Sequence, residues 1–432
     1  MKMALTFKFK DSWNRRSFLG TLGAAFASLA GSRKLSAAPA NGTVATPQPD
    51  CNRIASGLGS TGNVYEELGV TTVINGQGTM TTLGGSLGRP EVETIMTQAM
   101  RNFVSIPELE AAAGKRISQM LKLPDGYTAI VTSGAAGAIQ SGLAGILTRD
   151  NEKFIRQLPD LTGMKTEVII QKSHRNPFDH QLRGTGAKLV EIESRDDLKK
   201  AIGPQTAMMH FTNFANSAGQ IKVDEWQKLA AAASIPSFID AAADTPPVSH
   251  LWDYANMGYD LIAFSGGKAM RGPQCSGLLI GKADLVHFAL LNNSPYEDVL
   301  GRGQKVGKEE IVGMVKALEL YLAEDHDALN AEWQRRLDNI STKITAIKGV
   351  STKMTMPEIA NHVPSMQITW DQKLVAISPG DAAHTLRSGK PSIVLAHGED
   401  GPGLSMTSFM LQPGEDDIIA DHLVALFRAH AA

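Results

Sequence analysis

The chain has 432 residues, 43% of them hydrophobic, and a formal net charge of −2 at pH 7. That length buries enough core for one large domain with a smaller one, and so small a charge gives no overall field to draw in nucleic acid or an anionic membrane. Two cysteines, Cys51 and Cys275, indicate no disulfide framework or metal site, and no long uncharged apolar run predicts a mature transmembrane helix.

At the N-terminus, Asn14-Arg15-Arg16-Ser17-Phe18-Leu19-Gly20 precedes a weakly apolar run over 21–31 and then Ala38-Pro39-Ala40. Paired arginines, a modest apolar stretch and a small-x-small site predict a twin-arginine signal peptide over 1–40, followed by a polar, Pro- and Gly-containing linker over 41–60. The mature protein is then expected in the periplasm, exported already folded.

From residue 61 helical and strand patterns alternate. Helices are predicted over Pro90–Phe103 and Glu108–Leu121, a strand over 127–132, and a helix from Gly134 to about Leu147. Short apolar strands recur at 167–170, 188–192, 207–211, 237–239 and 261–264, separated by helices for which Ser194 and Asp224 are candidate caps. Such alternation predicts an α/β fold with a mostly parallel sheet covered on both faces. A strand over 276–280 turns back, with Cys275 at its head expected to be buried. A helix over 309–323 closes a large domain of residues 61–324. A smaller domain over 325–432 holds strand candidates at 365–369 and 391–395 and a last helix over 416–429.

Chemistry concentrates where predicted strands end. Lys268 stands in Ser265-Gly266-Gly267-Lys268, directly after the apolar run 261–264. The two glycines let the backbone turn tightly and a ligand come close, which suits a Schiff-base lysine. The cofactor this suggests is pyridoxal 5'-phosphate, which also needs a carboxylate for its ring nitrogen and a cup for its phosphate. Asp240 ends the preceding apolar run and offers the carboxylate. Ser133, Gly134 and Ala135 form a small-residue turn into a helix N-terminus and offer the cup. Singly, each has a plainer reading: a helix cap, a surface charge, a packing turn. The order and shared strand-end position favour the cofactor. His174, just after another strand, is a candidate to stack on the cofactor ring and assist as a catalytic acid, against a capping or surface role.

Gly62-Asn63-Val64-Tyr65-Glu66-Glu67-Leu68-Gly69-Val70, Val73-Ile74-Asn75-Gly76-Gln77-Gly78 and Ser265-Gly266-Gly267-Lys268-Ala269-Met270-Arg271-Gly272-Pro273-Gln274 resemble the selenocysteine-synthase-like branch of fold type I pyridoxal phosphate enzymes, which includes the D-glucosaminate-6-phosphate ammonia lyases. The resemblance covers roughly residues 61–330. It implies the fold type I transferase architecture, with Lys268 carrying the cofactor, Asp240 on its ring nitrogen, and Ser133, Gly134, Ala135 and Ser265 around its phosphate. It further implies that Arg89 binds substrate, as in the selenocysteine synthases. Arg302 and Lys305 would do so from a loop reaching a neighbouring subunit, giving a homodimer or larger homo-oligomer with shared sites. Ala396, with His397 beside it, stands where the family has an arginine.

The expected reaction is α,β-elimination on a small β-hydroxy amino acid or amino sugar acid, giving a 2-keto acid and ammonia. β-Replacement, aldol cleavage or racemisation use the same first step, and a protein that binds an amine through the cofactor without turnover is the non-enzymatic alternative.

Overall fold

The computed structural model describes residue 59 and residues 62–398 and 401–431. The signal-peptide and linker expectations, and Cys51, lie outside the described residues. The chain divides into two units, Met1–Val70 and Thr71–Ala432. In the first, Asn63 accepts hydrogen bonds from the Tyr65 and Glu66 amides and so caps the short helix Val64–Glu67.

The second unit is built on seven strands: β2 (Tyr127–Thr132), β3 (Glu167–Gln171), β4 (Lys188–Ile192), β5 (Thr206–Thr212), β6 (Ser237–Asp240), β7 (Leu261–Ser265) and β8 (Gly277–Lys282). Their spatial order is β2-β8-β7-β6-β5-β3-β4. Pairing is parallel from β7 through β4, and antiparallel on both sides of β8. β2 therefore runs with β7, and the carboxyl ends of β2, β5, β6 and β7 share one edge, where an open α/β sheet binds its ligand.

Apolar side chains on both faces explain why the strands read as unbroken hydrophobic runs. One face packs Phe211, Ile239 and Ile262 against Ile117, Trp226, Tyr254 and Ile311. The other packs Phe238, Leu261 and Ala263 against Leu143, Leu182 and Val286. Fully burying one such side chain stabilises by about 1.5–3 kcal/mol, so these two layers hold the sheet rigid beneath the site. Ser194 caps its helix through a reciprocal bond with Asp197, as expected. Asp224 does not cap: its helix is Val223–Ala232, with Lys222 at the cap position and Asp224 in the first turn, where a carboxylate favours the positive end of the helix dipole.

The smaller layer contains β9 (Val350–Thr355), β10 (Ser365–Trp370), β12 (Ala396–His397) and β13 (Gly403–Thr407), in the order β12-β13-β10-β9. Helices His326–Thr345, Pro379–Ser388 and Glu415–Ala429 pack on it. One boundary differs from expectation. β1 (Val73–Asn75) pairs in parallel with β11 (Ser392–Val394), and Ile74 is buried in the C-terminal core beside Ile393. Three residues are too few to show strand periodicity, so this partnership was not readable locally.

Candidate active site

Asp240 ends β6 and lies opposite Thr212 of β5 and Ala263 of β7. It is 6% exposed, and the Ala242 amide donates to its Oδ1 at 3.1 Å. Among the described residues no donor meets Oδ2. Burial raises the carboxyl's pKa, which the Ala242 amide and the charge of Lys268 partly oppose. A carboxyl so placed needs a cationic or N–H partner to ionise, and a protonated pyridine nitrogen is one.

Past β7, the Gly266 amide donates to Ser276 O at 2.8 Å. A Cβ on Gly266 would stand 2.3 Å from Met314 Sδ and 2.4 Å from Ser276 Oγ, so only glycine passes here. The half-buried Lys268 follows. Burial lowers the pKa of its amine, while Asp240 and Asp244 partly restore it. A lowered pKa makes the free amine, the nucleophilic and basic form of lysine, easier to reach.

Ser133 and Gly134 open the helix Gly134–Thr148, with Gly134 at φ 69°. The Ser133 hydroxyl makes no capping bond. Among the described residues no acceptor meets the amides of Gly134, Ala135 and Ala136, leaving three donors and the positive helix end for an anion. Buried Gln304 Oε1 also lacks a partner. It and Ser133 Oγ both come within 3.3 Å of the point a Cβ on Gly137 would occupy. Ser265 is half-buried beside Gly277, its β8 partner. A free Asp240 oxygen, a lysine whose pKa burial lowers and an open helix end fit pyridoxal 5'-phosphate.

Two expectations need correction, those for His174 and Cys275, and Arg89 is held by this chain's own groups. His174 cannot stack on a ring in this arrangement, because it is fully buried on the sheet face opposite Asp240. It meets Phe211 edge-on at 4.5 Å and accepts from the Thr212 amide through Nδ1. Burial, then Lys222, lowers its pKa to about 4, so it is a neutral core histidine near neutral pH. Arg89 is 7% exposed and already occupied: it donates to Met270 O at 3.1 Å, Ala317 O at 3.3 Å and Glu324 at 2.6 Å. It braces the stretch after Lys268 against the helix Lys308–Ala323, at the wall of a cavity of about 570 Å³ also lined by Ala269, Arg271, Trp333 and Phe409. Cys275 is exposed rather than buried, since β8 begins only at Gly277.

Arg302 and Lys305 are exposed. Their neighbour Gln304 is the loop residue that meets this chain's own helix end, donating to Gln140. Ala396 is half-buried and His397 exposed on β12. A missed group is Asp244, 1% exposed and bonded to Asn213 and Tyr254. Its signal was a second aspartate four residues after Asp240, in a turn on the site edge.

The seven-stranded sheet, with Lys268 and Asp240 at one edge, has the fold of the fold type I pyridoxal phosphate-dependent enzymes. The sequence pattern of the aminotransferase class-V family matches residues 108–291. D-glucosaminate-6-phosphate ammonia lyase of Salmonella typhimurium is 28% identical over 344 residues, 77% of this chain and 89% of that protein. A solved structure of a D-glucosaminate-6-phosphate ammonia lyase superposes with a TM-score of 0.73 at 26% identity, over 85% of this chain and 99% of that one. The 5'-C-glycyluridine monooxygenase-decarboxylase of a Streptomyces species is 26% identical over 77% of this chain and 83% of its own length.

Proposed function

We propose that the chain is a pyridoxal 5'-phosphate-dependent ammonia lyase acting on a β-hydroxy amino acid or amino sugar acid. The observation that carries this reading is Lys268 beside Asp240 on one sheet edge, in a chain similar along most of its length to an ammonia lyase. When bound, the cofactor supplies an electron sink for the bond broken at Cα. Lys268 would hold it, Asp240 would keep a proton on its ring nitrogen, and the Gly134, Ala135 and Ala136 amides would take its phosphate. With its amine free, Lys268 Nζ would be the base within the site. It would remove the Cα proton and then return a proton to the β-hydroxyl, which would leave as water. Water re-enters to hydrolyse the product, so the net change is substrate to 2-keto acid and ammonia.

The test is to screen unphosphorylated and phosphorylated β-hydroxy amino acids and amino sugar acids for equal yields of ammonia and 2-keto acid. Release of CO₂ without ammonia would move the reaction toward that of the Streptomyces relative. Failure of every compound to release product while shifting the cofactor spectrum would leave an amine-binding protein. Two further parts belong to the proposal. Arg15 and Arg16 support export by the twin-arginine route to the periplasm, and the exposed Arg302 and Lys305 support a homo-oligomer in which each subunit completes its neighbour's site.

A further inference from the structure

The loop after the helix Ala283–Leu291 is tied to both ends of the helix Gly134–Thr148. The two helices lie so close that a Cβ on Gly145 would stand 2.5 Å from the Ala289 nitrogen. Asn292 Nδ2 donates to Thr148 Oγ1 at 2.7 Å. The Gly301 amide then donates to Asn292 O at 2.9 Å, and the Gln304 amide to Gly301 O at 2.9 Å. Nearer the start of the helix, Gln304 Nε2 donates to Gln140 Oε1. Ser133, Gly137 and Gln140 share one helix face, and Gln304 lies against it. Its Oε1 is buried with no donor and lies 3.3 Å from where a Cβ on Gly137 would stand, a point to which Ser133 Oγ comes equally near.

A dry, unpaired carbonyl oxygen is costly. This one stands beside a helix end whose free amides suit an anion, so the carboxamide presents its acceptor where a donor would serve. The two ends of a carboxamide have nearly the same shape, and a half-turn of Gln304 about its last bond would bring Nε2 to the Ser133 side. Gln140 Nε2 meets no acceptor among the described residues. A matching half-turn of Gln140 would let that nitrogen donate to the Gln304 oxygen and keep the bond between the two side chains. We propose that Gln304 is a binding residue for the cofactor phosphate, supplied by this chain itself, with Nε2 turned toward the anion by the paired half-turn with Gln140. This rests on the reading of Lys268 as the cofactor lysine, with the phosphate at the Gly134, Ala135 and Ala136 amides. Gln304 then recognises the phosphate and not the ring, and it shares one short loop with the exposed cations Arg302 and Lys305.

The experiment titrates the full-length apoprotein, by absorbance, with pyridoxal 5'-phosphate and with pyridoxal, which lacks the phosphate. The wild type is expected to bind the phosphate ester far more tightly. Gln304→Glu keeps an oxygen for Gln140 Nε2 but replaces the donor by an anion. It should weaken pyridoxal 5'-phosphate by about tenfold to 100-fold while leaving pyridoxal within about twofold. Gln304→Leu removes the donor without adding charge and should weaken the phosphate ester alone, by about tenfold. Equal weakening of both ligands, as a merely structural loop residue would give, or weakening of neither, overturns the proposal. If Gln304→Glu does not fold, the ratio of the two affinities in Gln304→Leu decides in its place. A wild-type protein with no borohydride-fixable cofactor on Lys268, or with equal affinity for the two ligands, overturns the reading beneath this inference as well.

Discussion

Replacing Gly277 by alanine tests the phosphate cup through its geometry. A Cβ at that position would lie 2.4 Å from Gly134 C, 2.7 Å from Phe264 O and 2.8 Å from Ala135 N. Carbon atoms pack at roughly 3.5–4.0 Å, so the helix N-terminus must retreat by about 1 Å or β8 must bow. Overpacking of this kind costs about 1–3 kcal/mol, and the displaced atoms belong to the residues whose amides face the anion. A misplacement of about 1 Å can cost about 100-fold in a site built on position. Gly277→Ala should therefore melt earlier than the wild type and bind pyridoxal 5'-phosphate more weakly, by about tenfold to 100-fold. Gly203→Ala is the control, since a Cβ there meets nothing within 4 Å. Calorimetry and cofactor titration by absorbance read both effects. Wild-type cofactor affinity in a Gly277→Ala protein would refute the placement of the phosphate at this helix end.

Asp240→Asn should retain fold and colour yet slow Cα deprotonation, followed by single-turnover absorbance, by about 100-fold or more. Glu110, buried and bonded to the Val131 amide at 2.9 Å, has its pKa raised from 4.5 to about 7, mainly by burial. The folded state thus binds this proton more tightly than the unfolded state, so stability falls as pH rises between those values, by up to about 3 kcal/mol. Glu110→Gln should flatten that slope in denaturant titrations run across the window. Exchanging Arg15 and Arg16 for lysine should leave an unprocessed, folded, yellow protein in the cytoplasm, as cell fractionation would show. Mixing inactive Lys268→Ala and Arg302→Ala subunits should restore some activity if sites are shared, measured after subunit exchange is demonstrated.

Much of this architecture was readable because its signals are local. The strands from β2 to β8 showed themselves as short apolar runs, and the ends of those runs carried Ser133, Asp240 and Lys268 to one edge. What escaped depends on which face a side chain takes or on distant partners. His174 and Asp240 both follow or close strands, but the alternation of β5 sends Phe211 and Thr212 to opposite faces, and His174 packs on the Phe211 side. Arg89 reads locally as a free cation, and only the fold supplies Met270, Ala317 and Glu324 as its partners. Asp244 looks like any turn aspartate until Asn213 and Tyr254 arrive from other elements.

The pairing of β1 with β11 joins stretches about 320 residues apart, so the order of synthesis matters. As the chain leaves the ribosome, β1 emerges among the first segments of this unit and has no partner until the C-terminal layer follows. The stretch just after it runs to Gly85, where a Cβ would come within 2.7 Å of Gly267 O. That stretch is fixed to the lysine turn by bonds of its own, Arg271 to Leu87 O and Gly88 O and Arg89 to Met270 O, so β11 adds a second anchor on its other side. Closing so long a loop is slow and entropically costly, so the pairing that ties the start of this unit to its C-terminal layer forms only after that layer has been made.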